Sequence, residues 1–234
     1  MAQYFDDHPF DIVKLLDNGD NLALKHLYFS KVDAVFKLLD LSEGSRILDV
    51  GCGTGYATLK YDKFYNRKIN VVGVDISDSS IKLAKEHALK LNRKYQFLTA
   101  NATSLPFDDN SFNAAFCINL LHHIDDHVDA LKEMARVAEK VCCVEPNDLN
   151  PLQRKYQKTE VAKMAGDTKA FNMANLVKDF KSVGLKNIKT MKIHFFHPNA
   201  SGFMLKMMIH LEPILLKTPL ISLMSGGLVV YGER

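Results

Sequence analysis

The feature that most constrains the fold of this chain is an alternation of two kinds of segment, which begins at Arg46. Short runs rich in Val, Ile and Phe are typical of buried strands, and the segments between them carry the apolar spacing of helices. Strands that alternate with helices form βαβ units around a mainly parallel sheet. The sequence therefore predicts an α/β fold, a three-layer sandwich in which helices cover both faces of a sheet.

The alternation assigns most of the chain to predicted elements. The predicted strands cover residues 46–50, 70–75, 95–100, 112–119, 141–145, 187–195 and 228–232. The predicted helices between them cover residues 54–65, 78–92, 128–139 and 173–183. Before the alternation, apolar residues at helical spacing predict an amphipathic helix over residues 20–41. Residues 146–172 and 197–227 do not fit the alternation, and we interpret both segments as insertions.

A glycine-rich turn follows the first predicted strand. Gly51, Gly53 and Gly55 alternate with Cys52 and Thr54, directly before a predicted helix. Alternate glycines let the main chain approach a ligand closely, and parallel α/β sheets bind ligands beyond the carboxyl ends of their strands. The turn is therefore interpreted as a cofactor cradle.

An acidic residue, Asp75, ends the second predicted strand twenty residues after Gly55. A carboxylate at this place accepts hydrogen bonds from both hydroxyls of a ribose, so the turn and the acid together predict an adenosine ligand. A dinucleotide fingerprint, G-x-G-x-x-G, would need a third glycine where this chain has Tyr56. Pyrophosphate binding is therefore disfavoured, and the sequence contains no phosphate-loop motif.

The turn and the segments after it resemble the signature of class I S-adenosylmethionine-dependent methyltransferases, in particular the ubiquinone and menaquinone methyltransferase type. The resemblance is carried, in the family's order, by residues 48–55, 74–77, 100–107, 112–119 and 120–125. It implies S-adenosylmethionine as cofactor, methyl transfer as activity, and a Rossmann-like, seven-stranded mixed sheet whose last strand is antiparallel. Two alternatives stay open: a nicotinamide-dependent oxidoreductase on the same architecture, and a non-catalytic cofactor-binding partner subunit.

The resemblance also implies which residues contact the cofactor. Asp49 and the main chain of the turn would hold the methionine part, and Asp75 would hold the ribose. Ile76 and Ala102 would cover the faces of the adenine. The full set of implied contacts is Asp49, Gly51, Cys52, Gly53, Thr54, Gly55, Asp75, Ile76, Asn101, Ala102, Asn119 and Leu120.

Asn101 stands where the family usually has an acid beside the adenine amino group, although its side-chain oxygen is still an acceptor. Asn119 and Leu120 would lie at the sulfonium end of the cofactor. The structural alternatives are a capping role for Asp49, core burial for Ile76 and an ordinary turn role for Asn101.

A histidine pair, His122 and His123, follows the fourth predicted strand, where relatives present a side chain to the substrate. Neutral imidazole takes up a proton near neutral pH, so the pair is predicted to be catalytic, with His122 favoured as the residue that faces the pocket. The alternative is that both are partly buried structural groups. His123 and His127 have a spacing that would suit a metal only on a helix, and Asp125 and Asp126 more simply begin one, so no metal is predicted.

The acceptor is predicted to be a small or lipophilic metabolite rather than nucleic acid. The Asn/Asp-Pro-Pro-aromatic box of enzymes that methylate exocyclic base amines is absent after the fourth predicted strand, and a net charge of +3 is small for a polyanion partner. The segment 197–227 is rich in Met and Leu, which line adaptable apolar pockets. Its Lys206, His210 and Lys217 leave open a peripheral contact with a membrane surface. The alternative is that this segment packs on the sheet as one or two short helices.

The chain of 234 residues is predicted to form a single methyltransferase domain, residues 1–234. Within it, residues 1–45 form an N-terminal helical lid and residues 46–145 a cofactor-binding core, while residues 146–172 and 197–227 form a substrate cap. The four cysteines lack CxxC spacing and the N-terminus lacks a secretory pattern, so a reducing, cytoplasmic location is predicted. The apolar stretch 203–224 is interrupted by charges and prolines and is not predicted to span a membrane. The oligomeric state is left open.

Overall fold

The computed structural model describes residues 6–7, 11, 13, 22–59, 68–164, 166–167, 169–195 and 202–234. Its strands are β1 (Arg46–Val50), β2 (Asn70–Asp75), β3 (Gln96–Thr99), β4 (Phe112–Ile118), β5 (Ala138–Pro146), β6 (Lys186–Ile193) and β7 (Gly227–Glu233). Its helices are α1 (Leu22–Leu39), α2 (Asp78–Lys90), α3 (His127–Val137), α4 (Pro151–Tyr156), α5 (Glu160–Met164), α6 (Met173–Ser182), α7 (Gly202–Lys217) and α8 (Pro219–Ser222). A further helix begins at Tyr56, and its continuation beyond Leu59 lies outside the described residues.

The strands form one seven-stranded sheet in the order β3-β2-β1-β4-β5-β7-β6. The first five strands of this order are parallel, whereas β7 runs antiparallel to both of its neighbours. The prediction of a mixed sheet with an antiparallel last strand is thus confirmed. Strand order reverses between β1 and β4, and the carboxyl ends of the strands at such a point are where parallel α/β sheets bind ligands.

Helices cover both faces of the sheet, because its parallel strands carry apolar side chains on both. Ile47 of β1 and Phe116 of β4 are buried on one face, together with α1, α2 and the helix that begins at Tyr56. Leu48 and Val50 of β1 are buried on the other face, against α3 and α6. The predicted three-layer sandwich is confirmed.

Most predicted elements differ from the structure by one to three residues at one or both ends, and three of these differences have a clear local reason. The helix after β1 begins at Tyr56 rather than at residue 54, because Gly55 has a left-handed φ of 84°. α3 ends at Val137 and β5 follows at once, since Ala138 is already extended with φ −135° and ψ 152°. No turn residue marks this change in the sequence. α1 ends at residue 39 because Asp40 is left-handed, with φ 41°.

The two segments interpreted as insertions carry helices that follow strand ends at the carboxyl edge. Residues 146–172 contain α4 and α5, and residues 197–227 contain α7 and α8. α7 packs on α1 through Leu205, which is buried against Ala23 and Leu27. In the part of the chain that the structure describes, no helix has both the length and the hydropathy to cross a bilayer.

Candidate functional site

The loop after β1 is fastened to the end of β2 by its own main chain. The N–H groups of Gly51 and Cys52 donate to the carbonyl oxygen of Val74 at 2.8 and 2.9 Å. The three alternate glycines have left-handed φ values of 71°, 51° and 84° in chain order, which glycine adopts without strain. A Cβ at Gly51 would lie 2.6 Å from Leu120 Cδ1, whereas a Cβ at Gly53 would meet nothing within 4 Å. The loop therefore presents bare main chain with open space beside Gly53.

Asp75, at the end of β2, is bound to this loop. Its Oδ2 accepts a hydrogen bond from the Gly53 N–H at 2.8 Å, and its Oδ1 accepts one from the Ser77 N–H at 3.0 Å. Burial raises the pKa of Asp75, and the two N–H groups offset part of this by binding the ionised form. Each carboxylate oxygen keeps a lone pair for a further donor. The next residue, Ile76, is 46% exposed and places an apolar surface beside the carboxylate.

Asp6 reaches the same corner of the site, which sequence reasoning did not anticipate. Asp6 Oδ1 accepts hydrogen bonds from Ser77 Oγ at 2.8 Å and from the Ser79 N–H at 3.2 Å, at the start of α2. These hydrogen bonds lower the pKa of Asp6, as expected for a carboxylate at a helix N-terminus. The only sequence signal was an acid in a segment without a helical or strand pattern.

Asp49 and Thr54 are buried beside the loop. Asp49 is 2% exposed, and its Oδ2 accepts a hydrogen bond from Thr58 Oγ1 at 2.6 Å. Burial raises the pKa of Asp49 to about 7, although the Thr58 hydroxyl offsets part of the shift. The buried Thr54 Oγ1 has no hydrogen-bond partner among the described residues. Because a buried hydroxyl without a partner is costly, a polar ligand group fits as the missing partner.

The turn after β3 carries Asn101 and Ala102. Asn101 is exposed, and its Oδ1 accepts hydrogen bonds from the N–H and the hydroxyl of Thr103, both at 3.0 Å. This arrangement is an Asx turn, so the turn role that the sequence left open is present. Ala102 is half-buried against the core below the turn. An adenine contact by either residue stays a prediction.

The end of β4 meets the loop after β1. Asn119 has a left-handed φ of 58°, and its N–H donates to the Val144 carbonyl at 2.8 Å. The side chain of Leu120 occupies the space that a Cβ at Gly51 would need. The structure thus brings together residues from the loops after β1 and β4 at the point where strand order reverses, with Asp75 at the end of β2 beside them.

His122 is buried between two carboxylates. Glu145, at the end of β5 and 0% exposed, contacts His122 Nδ1 through Oε2 at 2.6 Å. The other oxygen, Oε1, accepts hydrogen bonds from the N–H groups of Leu120 and Leu121 at 3.0 and 2.8 Å. His122 Nε2 lies 2.8 Å from Asp167 Oδ1. Burial lowers the pKa of His122, but the two carboxylates outweigh burial and raise it to about 9, so the ring is an imidazolium near neutral pH.

His123 lies beside His122 and has the opposite protonation state. The two ring centroids are 4.0 Å apart, and His123 Nε2 is 3.6 Å from Asp167 Oδ1. Burial and the charge of His122 lower the pKa of His123 to about 4, so this ring is neutral. His127 points elsewhere, because its Nε2 lies 3.2 Å from a carboxylate oxygen of Asp179 on α6.

Lys31 is part of this site and was missed by sequence reasoning. It lies on α1, is 7% exposed, and donates from Nζ to Asn119 Oδ1 at 3.1 Å. The ammonium also lies 5.3 Å from the ring centroid of Tyr28. Burial lowers the pKa of Lys31 to about 8, against the opposing effect of Glu145 and Asp167. The available signal was its position, a lysine among the apolar residues of an amphipathic helix.

The central part of the chain is similar in sequence to known methyltransferases. Residues 48–141 match a family model described as a methyltransferase domain. Demethylmenaquinone methyltransferase of Bacillus cereus is 35% identical over 154 residues, which cover 62% of this chain and 65% of that protein. An O-methyltransferase of Aspergillus nomiae is 41% identical over 96 residues, which cover 40% of this chain and 42% of that protein. The matched part thus spans less than two thirds of either relative.

Solved structures share the whole fold at low sequence identity. A SAM-dependent methyltransferase of Thermotoga maritima has a TM-score of 0.70 at 21% identity, covering 99% of this chain and 98% of that chain. Phosphoethanolamine N-methyltransferase 2 of Haemonchus contortus, in complex with S-adenosylmethionine, has a TM-score of 0.68 at 15% identity, covering 100% of this chain and 59% of that chain. At these identities the likeness establishes the fold.

Proposed function

On the premise that residues 48–141 of this chain form a class I S-adenosylmethionine-dependent methyltransferase domain, we propose that the protein transfers a methyl group from S-adenosylmethionine to a small or lipophilic metabolite. The observation that carries the proposal is the bare main chain after β1, which has open space beside Gly53 and is hydrogen-bonded to Asp75, near the point where strand order reverses. The division into a lid (1–45), a core (46–145) and a cap (146–172 and 197–227) is part of the same proposal.

The residues beside the loop fit this cofactor. Bound S-adenosylmethionine supplies a methyl group that is already activated, so the protein has chiefly to bind, orient and exclude water. Asp75 has lone pairs left for the ribose hydroxyls, and Ile76 offers an apolar surface for the adenine. The Thr54 hydroxyl, which has no partner among the described residues, and Asp49 are suited to the polar methionine part. The N–H groups of the other four loop residues already donate within the protein, so the loop would contact the ligand by close approach of its main chain.

Calorimetric titration with S-adenosylmethionine tests the cofactor assignment. Asp75→Ala is expected to weaken binding by about 1.5–3 kcal/mol for each charged hydrogen bond lost. Asp108→Ala removes an exposed carboxylate at the opposite edge of the sheet, before β4, and should bind like the wild type. Unchanged affinity in Asp75→Ala would refute the ribose assignment.

The same titration separates the alternatives. Tight binding of NADH, with none of S-adenosylmethionine, would favour the nicotinamide-dependent oxidoreductase. Tight binding of S-adenosylmethionine with no methyl transfer to any fraction of a metabolite extract would favour the non-catalytic partner subunit.

Different roles follow for the two histidines predicted to be catalytic. Both ring nitrogens of His122 already contact carboxylates, so its role is to position the segment after β4 against Glu145. His123 is neutral and is the histidine that faces the acceptor in this proposal. His122→Ala is expected to reduce turnover while hardly changing the cofactor Kd, measured by methyl-transfer rates and calorimetry. Wild-type turnover in this variant would remove His122 from the site.

A lipophilic acceptor and a peripheral membrane contact are supported by the outward surface of α7 and α8. Phe203, Ile214 and Leu220 are 83%, 63% and 79% exposed. Lys206 and Lys217 are exposed on the same segment, whose single acid is 9% exposed. Exposed apolar side chains flanked by lysines are typical of helices that lie on anionic membranes. Demethylmenaquinone, the substrate named for the Bacillus cereus relative, is the first acceptor type to test.

Co-sedimentation with lipid vesicles tests the membrane contact. The wild type is expected to sediment with phosphatidylglycerol vesicles and less with phosphatidylcholine vesicles, and Phe203→Ser combined with Leu220→Ser should abolish most of this binding. Leu89→Ser is the control, because Leu89 is 78% exposed on α2. Equal sedimentation of both variants would refute the contact.

Because all four cysteines are free thiols in the protein interior, we also propose that the protein is located in the reducing cytoplasm.

A further inference from the structure

A cluster of ionisable side chains lies where α1 meets the ends of β4 and β5. Lys31, His122 and Glu145 are 7%, 3% and 0% exposed. The fourth member, Asp167, contacts His122 and has a side chain that is 23% exposed. Two members carry a positive charge and two a negative charge, so the fully ionised cluster is neutral. Buried charges are tolerated when each is paired and hydrogen-bonded.

The two cations of the cluster are held in different ways. His122 has a carboxylate at each ring nitrogen, at 2.6 and 2.8 Å. Lys31 Nζ donates to the neutral amide oxygen of Asn119, and no ion pair joins it to a carboxylate within the described part of the chain. An ammonium carries three donors, so Lys31 is under-paired by comparison. Lys31 is therefore the member of the cluster that can release its proton.

The groups that face Lys31 give it a lower proton affinity than His122. Glu145 on β5 and Asp167 favour the ammonium, and the ring of Tyr28 lies against it. His194, at the end of β6, is neutral because burial and the charge of Lys31 hold its pKa well below the usual range. Burial dominates, so the pKa of Lys31 is about 8 while that of His122 is about 9. An ordinary lysine has a higher pKa than an ordinary histidine, so this environment reverses the order of the two pKa values. Environments that shift the pKa values of neighbouring groups in this way assign them acid and base roles.

Resting on the proposed function, we propose that Lys31 accepts the proton of the methyl acceptor, and that this acceptor carries an acidic hydroxyl, as in a phenol, hydroquinone or enol. Lys31 touches Asn119, the residue assigned to the sulfonium end of the cofactor site. A positive ligand there disfavours the ammonium by like-charge repulsion, so cofactor binding drives the Lys31 proton to solvent.

The chemical step then balances within the site. The O–H bond of the acceptor breaks and an N–H bond forms on the neutral Lys31 amine. The electron pair left on the acceptor, on oxygen or on a ring carbon conjugated to it, forms the bond to the methyl carbon, and the C–S pair stays on sulfur. Lys31 ends as an ammonium, beside the methylated acceptor and S-adenosylhomocysteine.

Counting protons released on ligand binding tests the role of Lys31 without any acceptor. Titrations near pH 8, in two buffers of different ionisation enthalpy, are run with S-adenosylmethionine and with S-adenosylhomocysteine, which lacks the methyl group and its sulfonium charge. Lys31 is about half protonated there, so the first ligand should release up to about half a proton more than the second. A proton released from Asp49 is common to both ligands and cancels.

Variants of Lys31 make this count decisive. Lys31→Arg keeps the buried cation but cannot lose its proton, so both ligands should give the same count. Lys31→Met should do the same, and Lys31→Arg covers the case in which Lys31→Met does not fold. Lys25→Met, the same change at an exposed position of α1, should keep the wild-type difference.

The outcomes separate this inference from the function on which it rests. An equal proton count for the two ligands in the wild type, or a difference that persists in Lys31→Arg, overturns the role of Lys31 while the proposed function stands. If neither ligand binds, the proposed function itself fails.

The substrate class is tested by incubating the protein with methyl-labelled S-adenosylmethionine and fractionated metabolite extract. The labelled product is expected to be methylated at a phenol, hydroquinone or enol, on oxygen or on a conjugated carbon. With that product's precursor, Lys31→Arg should lower kcat by about 100-fold or more with little change in KM. The wild-type rate should fall on the acid side with an apparent pKa below about 8, because the bound sulfonium lowers the pKa of Lys31 further. A labelled amine, or a rate unaffected by Lys31→Arg, overturns the inference, and no labelled product at all counts against the proposed function.

Discussion

The proposed cofactor side of this site, the loop after β1 with Asp75, and the proposed acceptor side, the charge cluster around Lys31 and His122, are built from different parts of the chain. The cofactor side is mainly main chain, a loop whose glycines lie within five consecutive residues and whose nearest carboxylate ends the next strand. The acceptor side is made of side chains from distant segments, with Lys31 and Asn119 separated by 88 residues and His122 and Asp167 by 45. The geometry of a site built from main chain depends on the positions of its glycines. The stability of a buried charge cluster depends on the presence of every charged partner.

The largest effect is expected at Glu145, on which the acceptor side depends. Glu145→Gln keeps the volume and an oxygen for the N–H groups of Leu120 and Leu121, but it removes the charge beside His122 Nδ1. Removing one partner of a buried charge pair costs about 3–5 kcal/mol, which urea unfolding would measure.

Glu160→Gln is the matched control for this change. Glu160 also forms an ion pair, with Lys163 at 2.7 Å, but its side chain is 82% exposed. Exposed pairs contribute about 1 kcal/mol or less. Similar small losses in both variants would show that the buried cluster is not what stabilises the acceptor side.

The next largest effect is expected at Gly51, on the cofactor side. Gly51→Ala combines a left-handed residue, which costs about 1–2 kcal/mol, with a contact of 2.6 Å to Leu120, which adds about 1–3 kcal/mol of overpacking. Gly44→Ala has the same backbone strain at φ 82° and no neighbour within 4 Å. Urea unfolding should show a larger loss for Gly51→Ala, and equal losses would mean that close approach of the chains is unimportant.

Gly53→Ala sharpens the same comparison. Its Cβ also meets nothing within 4 Å, so its stability should match that of Gly44→Ala. The added methyl group points into the open side of the loop, so calorimetry should show weaker cofactor binding in Gly53→Ala alone. Equal cofactor affinity in the two variants would place the cofactor elsewhere.

The difference between the two sides explains how much the sequence could predict. β1 and β2 begin and end at the residues predicted, because strands buried on both faces are continuous apolar runs with a charged or glycine boundary. The glycine turn and Asp75 are local signals, and the structure places them together. The Asn101 side chain is bound within its own turn, which the sequence left as one of two alternatives.

The acceptor side could not be predicted in the same way. A lysine on an amphipathic helix usually extends to solvent, so the position of Lys31 among apolar residues was too weak a signal to predict its burial. Asp167 lies in a segment without periodicity, and Glu145 was visible only as the end of a strand. The protonation state of His122 depends on partners 23 and 45 residues away, so residue type alone suggested a neutral base where the structure has an imidazolium.

The pH dependence of stability should separate the two cations of the cluster. The pKa of His122 is about 9 in the folded protein against an ordinary value of 6.5, so its stabilisation is complete below pH 6.5 and is lost as the pH rises through 9. The pKa of Lys31 is about 8 against an ordinary value of 10.5, so its burial destabilises below pH 8 and this penalty is relieved as the pH rises to 10.5.

Urea unfolding across this pH range measures both effects. His122→Gln should remove the fall between pH 6.5 and 9, and Lys31→Met should remove the rise between pH 8 and 10.5. Lys25→Met, exposed on α1, should keep both. A wild-type profile in either buried-site variant would contradict the assigned protonation states.

The smallest effect is expected at Asp49, the titrating side chain beneath the main-chain loop. Its pKa is about 7 in the folded protein, and a cationic ligand group binds its ionised form. Cofactor affinity should therefore rise about tenfold between about pH 6 and about pH 8, and calorimetry should show this rise disappearing in Asp49→Asn. A flat profile in the wild type would mean that Asp49 only accepts the hydrogen bond from Thr58, and that the main chain and Asp75 bind the cofactor without it. A slope that persists in Asp49→Asn would assign the titration to another group, and Asp75, whose pKa is also raised by burial, would be the next residue to replace.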